Sequence, residues 1–111
     1  MKRQNLTDDT GRWFDFDSVI DFDENSDWDG NNFISAATGS QWDHEKLYYT
    51  RSGRWILNEW SQWQGTTETY EEIGQETATQ WLAENERYDE IGKLPKGIRE
   101  AVETAFDAAE I

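Results

Sequence analysis

The richest run of oxygen ligands in this chain is Asn25-Ser26-Asp27-Trp28-Asp29-Gly30. Ligands at loop positions 1, 3 and 5 with Gly at 6 suit a calcium loop, because alternate residues face the ion and Gly makes the sharp turn. Asn25, Asp27 and Asp29 are therefore the candidate metal ligands. The pattern is incomplete. Position 1 is Asn, position 8 is Asn32 where an apolar residue belongs, and position 12 is Ala36 where a bidentate Glu belongs. Shifting the frame to Asp21, Asp23 and Asn25 loses the Gly. An Asx-rich turn in an acidic chain is the stronger reading, and no metal or cofactor is expected.

Acid–base and nucleophilic chemistry is equally thin. His44 is the single histidine, in Trp42-Asp43-His44-Glu45. A Ser-His-Asp arrangement needs Asp43 to orient His44 and Ser40 to attack, and sequence neighbours rarely reach that geometry. With 24 Asp and Glu available, any one carboxylate pair for glycoside hydrolysis is uninformative. Gly11, Gly30, Gly39, Gly53 and Gly65 stand singly, without the Gly and Lys spacing of a phosphate loop. The absence of cysteine excludes disulfides, thiolate zinc sites and a cysteine nucleophile. What remains is aromatic. Trp55, Trp60 and Trp63, with Gln62 and Gln64, could form a platform with amide donors, as a sugar or peptide groove would need. The odd spacing of Trp55 and Trp60 puts them on opposite faces of a regular strand, so one of the two lies outside the main core.

Composition sets the frame for these groups. The chain has 111 residues, 10 Lys and Arg against 24 Asp and Glu, and a formal net charge of −14. That size predicts one domain. Few aliphatics and a high charge lean toward disorder, but 7 Trp, 5 Phe and 4 Tyr argue for a folded core. Each aromatic buries roughly 150–250 Å² and suits a sheet. No run approaches the ~18 apolar residues of a membrane span and no leader pattern opens the chain, so a cytoplasmic location is expected. The charge disfavours direct contact with nucleic acid or an anionic membrane.

The elements follow from local pattern. Residues 1–10 are polar and predict a flexible start, leaving 11–111 as a single α+β domain. Arg12 to Phe16 alternates as a short strand, Ser18 to Glu24 reads as a helical turn capped by Ser18, and 23–32 reads as loop. Phe33 to Ala37 is a short strand or turn. Lys46 to Thr50 and Trp55 to Trp60 flank a four-residue hairpin loop in which Gly53 supplies positive φ. Thr67 to Ile73 is a further strand, with a bulge or early end expected near Glu72 because Tyr70 and Ile73 fall on opposite sides. Ala78, Trp81 and Leu82 mark one face of a helix from Gly74 to about Asn85. After Pro95 at a helix start, Ile98, Ala101, Val102, Ala105, Phe106 and Ala109 form an apolar stripe that must dock. The expected fold is an antiparallel three- to four-stranded meander with two C-terminal helices packed on one face.

Two short words recur. Gly-Arg-Trp occurs at 11–13 and 53–55, and Ser-Gln-Trp at 40–42 and 61–63. Their spacings differ, so they do not define a repeat. Leu47-Tyr48-Tyr49-Thr50, Gly53-Arg54-Trp55, Trp60-Ser61-Gln62-Trp63-Gln64-Gly65, Glu68-Thr69-Tyr70-Glu71 and Ala78 with Trp81-Leu82 together resemble a family of small, uncharacterised bacterial proteins. Its members carry Leu-Tyr-x-Thr, Gly-Arg-Trp and Ala-x-x-Trp-Leu segments. The resemblance spans Gly11 to Asn85, excludes the final helix, and departs at Gly74, where the family has Ser. It implies a strand–strand–strand–helix order and carries over no catalytic residue.

These observations together point to a noncatalytic, acidic protein that binds another protein, with charge suited to a basic partner. Trp60 and Trp63, with Glu59 and Glu68 supplying charge, are the candidate partner surface. An acidic DNA mimic inhibiting a DNA-binding or restriction-type enzyme is the alternative, and a small hydrolase ranks third for want of a nucleophile and base.

Overall fold

A computed structural model describes residues 1–63 and 65–111. Its centre is a four-stranded antiparallel sheet in the order β3 (Ile20–Asp23), β6 (Asp43–Tyr49), β7 (Trp55–Ser61) and β8 (Thr69–Ile73). Strands β6, β7 and β8 run as the expected meander, and two helices follow, α1 (Gln75–Glu84) and α2 (Lys96–Ala108). The fold is α+β. Thr50 to Arg54 closes the β6–β7 hairpin, with the Arg54 N–H donating to Thr50 Oγ1 at 3.0 Å and Gly53 at φ 86°.

Strict alternation along β6 and β7 divides the apolar residues between two cores. On one face Phe22, Leu47, Tyr49 and Trp55 pack with Ala78, Trp81 and Leu82 of α1 and Val102 of α2. On the other, Tyr48, Ile56 and Tyr70 pack with Leu6 and Phe14. The second core comes from a hairpin of β1 (Arg3–Asn5) and β2 (Trp13–Asp15). Its rings meet at tilted and edge-on angles, with Phe14 5.7 Å and Phe16 5.4 Å from Tyr48, the geometry aromatic quadrupoles favour.

This second core corrects several sequence expectations. Within residues 1–10, where the sequence pattern predicts a flexible start, Arg3–Asn5 pair as β1 with β2. Leu6 is buried, and Thr7 is pinned to the edge of β8 by its N–H to the Tyr70 carbonyl at 2.9 Å and by the Tyr70 N–H to Thr7 Oγ1 at 3.0 Å. Asp15 anchors the same hairpin, accepting the N–H groups of Lys2 and Asp17 and the Ser18 hydroxyl, each at 3.0 Å. These bonds hold its carboxyl below the usual aspartate range. No bulge interrupts β8, which pairs regularly with β7 from Thr69 to Ile73. Tyr70 and Ile73 each have a core to enter, so no kink is required.

The segment read as a helical turn is strand β3, preceded by a 3₁₀ turn over Phe16–Ser18. Ile20 and Phe22 alternate with Asp21 and Asp23, so β3 buries one side and solvates the other. Within the expected loop, β4 (Ser26–Trp28) pairs with β5 (Phe33–Ser35) as a separate exposed hairpin. In α2, Val102 is buried and Ile98 and Phe106 pack against the helical core, but Ala101 and Ala105 stay exposed. The helix packs on α1 and the turn over Glu90–Lys93, which leaves the methyl groups of Ala101 and Ala105 exposed among the described residues.

Candidate functional site

The end of the sheet where β6 begins and β7 finishes gathers most of the groups singled out by sequence. Trp60 lies opposite His44 in the ladder, and their rings stack at 5.6 Å. Just beyond, Trp42 and Trp63 pack on each other with centroids 5.0 Å apart, joined by the Gln62 N–H to the Trp42 carbonyl. Both remain open to solvent, at 39% and 58%. The β4–β5 hairpin springs from the same end and carries a second open pair, Trp28 and Phe33, at 5.1 Å. Trp55 is buried on the helical face while Trp60 is half-buried on the opposite one, as their odd spacing requires.

The four predicted partner residues divide. Trp60 and Glu68 lie toward the same face, and Glu68 accepts from Asn58 Nδ2 at 3.0 Å and from the Tyr70 hydroxyl at 3.1 Å. Burial and this neighbouring carboxylate push the Tyr70 phenol up. Glu59 faces the helical side, directly across from Glu45. Trp63 is in the turn after β7, and Gln64 lies outside the described residues.

Glu45 itself is perturbed. Burial pushes its carboxyl up, and the charges of Glu59 and Glu24 add to this. The Trp81 indole N–H, donating to Glu45 Oε1 at 3.0 Å, works the other way by favouring the charged form.

The Ser40–Asp43–His44 arrangement does not form. Successive residues of a strand point to opposite faces, so Asp43 cannot orient its neighbour. Ser40 Oγ instead accepts the N–H groups of Trp42 and Asp43 at 3.0 and 3.2 Å. His44 Nδ1 donates to Glu24 Oε1 at 2.5 Å. The other oxygen of Glu24 accepts the Ser35 hydroxyl and the Glu45 N–H. His44 Nε2, the nitrogen a general base would use, is buried with no partner among the described residues. The Ser35 hydroxyl is buried and donates to Glu24. Sequence reading missed Glu24 because its placement depends on β3 being a strand.

Two further residues fix Glu24. Asn85, fully buried at the end of α1, accepts the Asn25 N–H at 2.9 Å and donates to the Trp81 carbonyl at 2.9 Å. Arg87 donates to the carbonyls of Asp23 and Glu24 at 2.8 and 3.1 Å. These bonds hold the exit of β3 against the helix.

The calcium pattern resolves into a hairpin. Asn25 Nδ2 donates to Glu86, Asp27 sits within β4, and Asp29 Oδ1 accepts the N–H groups of Asn31 and Asn32, each at 2.8 Å. Those bonds make an Asx turn and hold the Asp29 carboxyl below the usual range. Among the described residues no three His, Asp or Glu side chains converge on a metal-sized space.

Comparison with family models, curated proteins and solved structures finds no match. Among the described residues, no helix is long and apolar enough to cross a membrane.

Proposed function

We propose that this chain is a noncatalytic, intracellular binding protein whose partner is a protein with a basic face. The observation that carries the reading is the Trp42–Trp63 pair, packed ring on tilted ring and open to solvent at the end of the sheet. Exposed Trp pairs are costly to leave in water, and Trp is over-represented among residues that dominate binding energy. Trp60 shares a sheet face with Glu68, and Glu59 faces the other side beside Glu45. The net charge of −14 supplies long-range attraction to a basic partner. The burial of His44 Nε2 and the engagement of Ser35 favour binding over hydrolysis.

The test is affinity capture from the native host with the wild-type chain and with a Trp42→Ala, Trp63→Ala double variant. The expected result is a basic protein held by the wild type, released by moderate salt and lost with the variant. Identical captures by the two chains would contradict the reading. Capture of a DNA-processing enzyme that duplex DNA then displaces would convert the reading into the DNA-mimic alternative.

A further inference from the structure

The two Gly-Arg-Trp words lie 42 residues apart in sequence and meet in space. Arg12 Nη1 and Arg54 Nη1 grip the two oxygens of Glu72, at 2.5 and 3.0 Å. Gly11 and Gly53 both take positive φ, 77° and 86°, which turns the chain so that each Arg leaves the loop toward the same carboxylate. Beside this clamp, between the β1–β2 hairpin and the β6–β7 loop, is a cleft of about 430 Å³. Its walls combine apolar surface from Leu6, Phe14 and Ile56 with Trp13, which is 40% exposed. A smaller hollow of about 210 Å³ shares Trp13, Thr50 and Ser52 with it and reaches Arg51.

The two arginines are not equivalent. Each nitrogen of Arg12 is engaged: Nε donates to Thr10, Nη1 to Glu72 and Nη2 to Asp8. Arg54 is 64% exposed at its side chain and commits only Nη1 to protein, leaving Nε and Nη2 without a partner among the described residues. Those two nitrogens form one edge of a planar fork, the geometry that pairs with an oxyanion through two parallel bonds. The charge setting is unusual for this chain. Lys2, Arg3, Arg12, Arg51 and Arg54, half of all its Lys and Arg, cluster here against five acids, Asp8, Asp9, Asp15, Asp17 and Glu72. The remainder of the molecule carries the net charge of −14. An anion repelled elsewhere meets a neutral surface here.

We infer that this cleft binds a small carboxylate joined to an apolar or aromatic group, with Arg54 holding the carboxylate and Trp13 flanking the apolar part. Arg12 and Arg54 are balanced by Asp8 and Glu72, so the clamp is neutral overall and tolerates a monoanion better than a dianionic phosphate. Glu72 already demonstrates that the pair accepts a carboxylate. The carboxylate could belong to a free metabolite-sized acid or to the end of a peptide, and the chemistry of capture is the same.

Two-dimensional NMR of the whole chain tests this, following the indole N–H of Trp13 and the Nε–H of Arg54. The probes are N-acetyl-phenylalanine, its amide, phenyl phosphate, and a tripeptide ending in Phe with a free or an amidated terminus. Saturable shifts of both signals by N-acetyl-phenylalanine and not by its amide are expected. Arg54→Gln should weaken that binding at least tenfold, and Arg54→Lys, which keeps the charge and loses the fork, should also weaken it. Trp13→Leu provides a second lesion away from the Glu72 clamp and should weaken the aromatic acid. Tighter binding of the free tripeptide than of the single residue would identify a peptide end as the source, and the reverse a small acid. The inference is overturned if acid and amide act alike, if only phenyl phosphate saturates, or if folded Arg54→Gln binds as the wild type does.

Discussion

Replacing Trp81 with Ala should unsettle this protein far more than replacing His44 with Ala. Trp81 is 6% exposed, packs in the core of Phe22, Leu47 and Leu82, and donates its indole N–H to Glu45. Truncating a buried Trp to Ala costs about 3–5 kcal/mol. Against a typical total of about 5–15 kcal/mol for a domain, that removes about a fifth of the stability or more. At about 4 °C or more per kcal/mol for a domain near this size, the melting temperature should fall by at least about 12 °C. Trp81→Phe separates packing from the hydrogen bond. It keeps a ring and loses the N–H, so its cost at neutral pH should be about 1–2 kcal/mol, the worth of a hydrogen bond to a half-buried carboxylate. The N–H also favours charged Glu45. Without it the Glu45 carboxyl rises further, so the stabilisation that group gives when protonated is lost as pH rises through the folded-state value. The Phe variant should therefore approach the wild type near pH 4 and fall behind it at pH 7. Thermal unfolding followed by circular dichroism at both pH values measures this, with His44→Ala as a control at a half-buried site. Equal melting temperatures for Trp81→Ala and His44→Ala would refute the core assignment.

Asn85→Ala should cost about 1–3 kcal/mol in chemical denaturation, because it strips a partner from the Asn25 N–H and from the Trp81 carbonyl at a fully buried position. Asp15→Asn should lower the melting temperature at pH 7 and converge with the wild type in acid, since a carboxyl held below its ordinary range stabilises above the unfolded value and stops doing so as pH falls through the folded one. Glu45→Gln should show the opposite sign, a gain at neutral pH that vanishes below the ordinary glutamate range, measured by the same melts. Raising salt from 0.01 to 0.1 M should raise the wild-type melting temperature, as the Debye length shrinks from about 30 to about 10 Å and self-repulsion at −14 is screened.

The sheet and helices were legible where pattern and tertiary role agree. Strands β6 and β7 carry strong β-formers around a Gly turn, and α1 announces itself through Ala78, Trp81 and Leu82. Strand β3 was present in the alternation Ile20-Asp21-Phe22-Asp23, but Ser18 competed as a helix cap, and it in fact donates to Asp15 in a 3₁₀ turn. Strand β1 has three polar residues, so its order comes from Leu6 docking and the Thr7 bonds to β8, contacts that span more than sixty residues. The kink expected near Glu72 assumed one core, and the β1–β2 hairpin supplies a second. At the candidate site, the opposite faces of Trp55 and Trp60 followed from parity alone. The Glu24–His44 pair required knowing where β3 ends, and the convergence of Arg12 and Arg54 on Glu72 required both hairpins in place.

Titration of the captured partner against purified wild-type, Trp63→Ala and Glu59→Lys chains tests the binding account most directly. Trp63 is exposed in the free protein, so its truncation should leave the melting temperature within about 1 °C of the wild type while weakening binding about 30-fold, the effect of losing a ~2 kcal/mol anchor. Glu59→Lys should act chiefly by slowing association at low salt, with the difference fading as salt rises. Unchanged affinity for both folded variants would contradict the account, and would return Trp42 and Trp63 to the role of a surface pair that binds nothing.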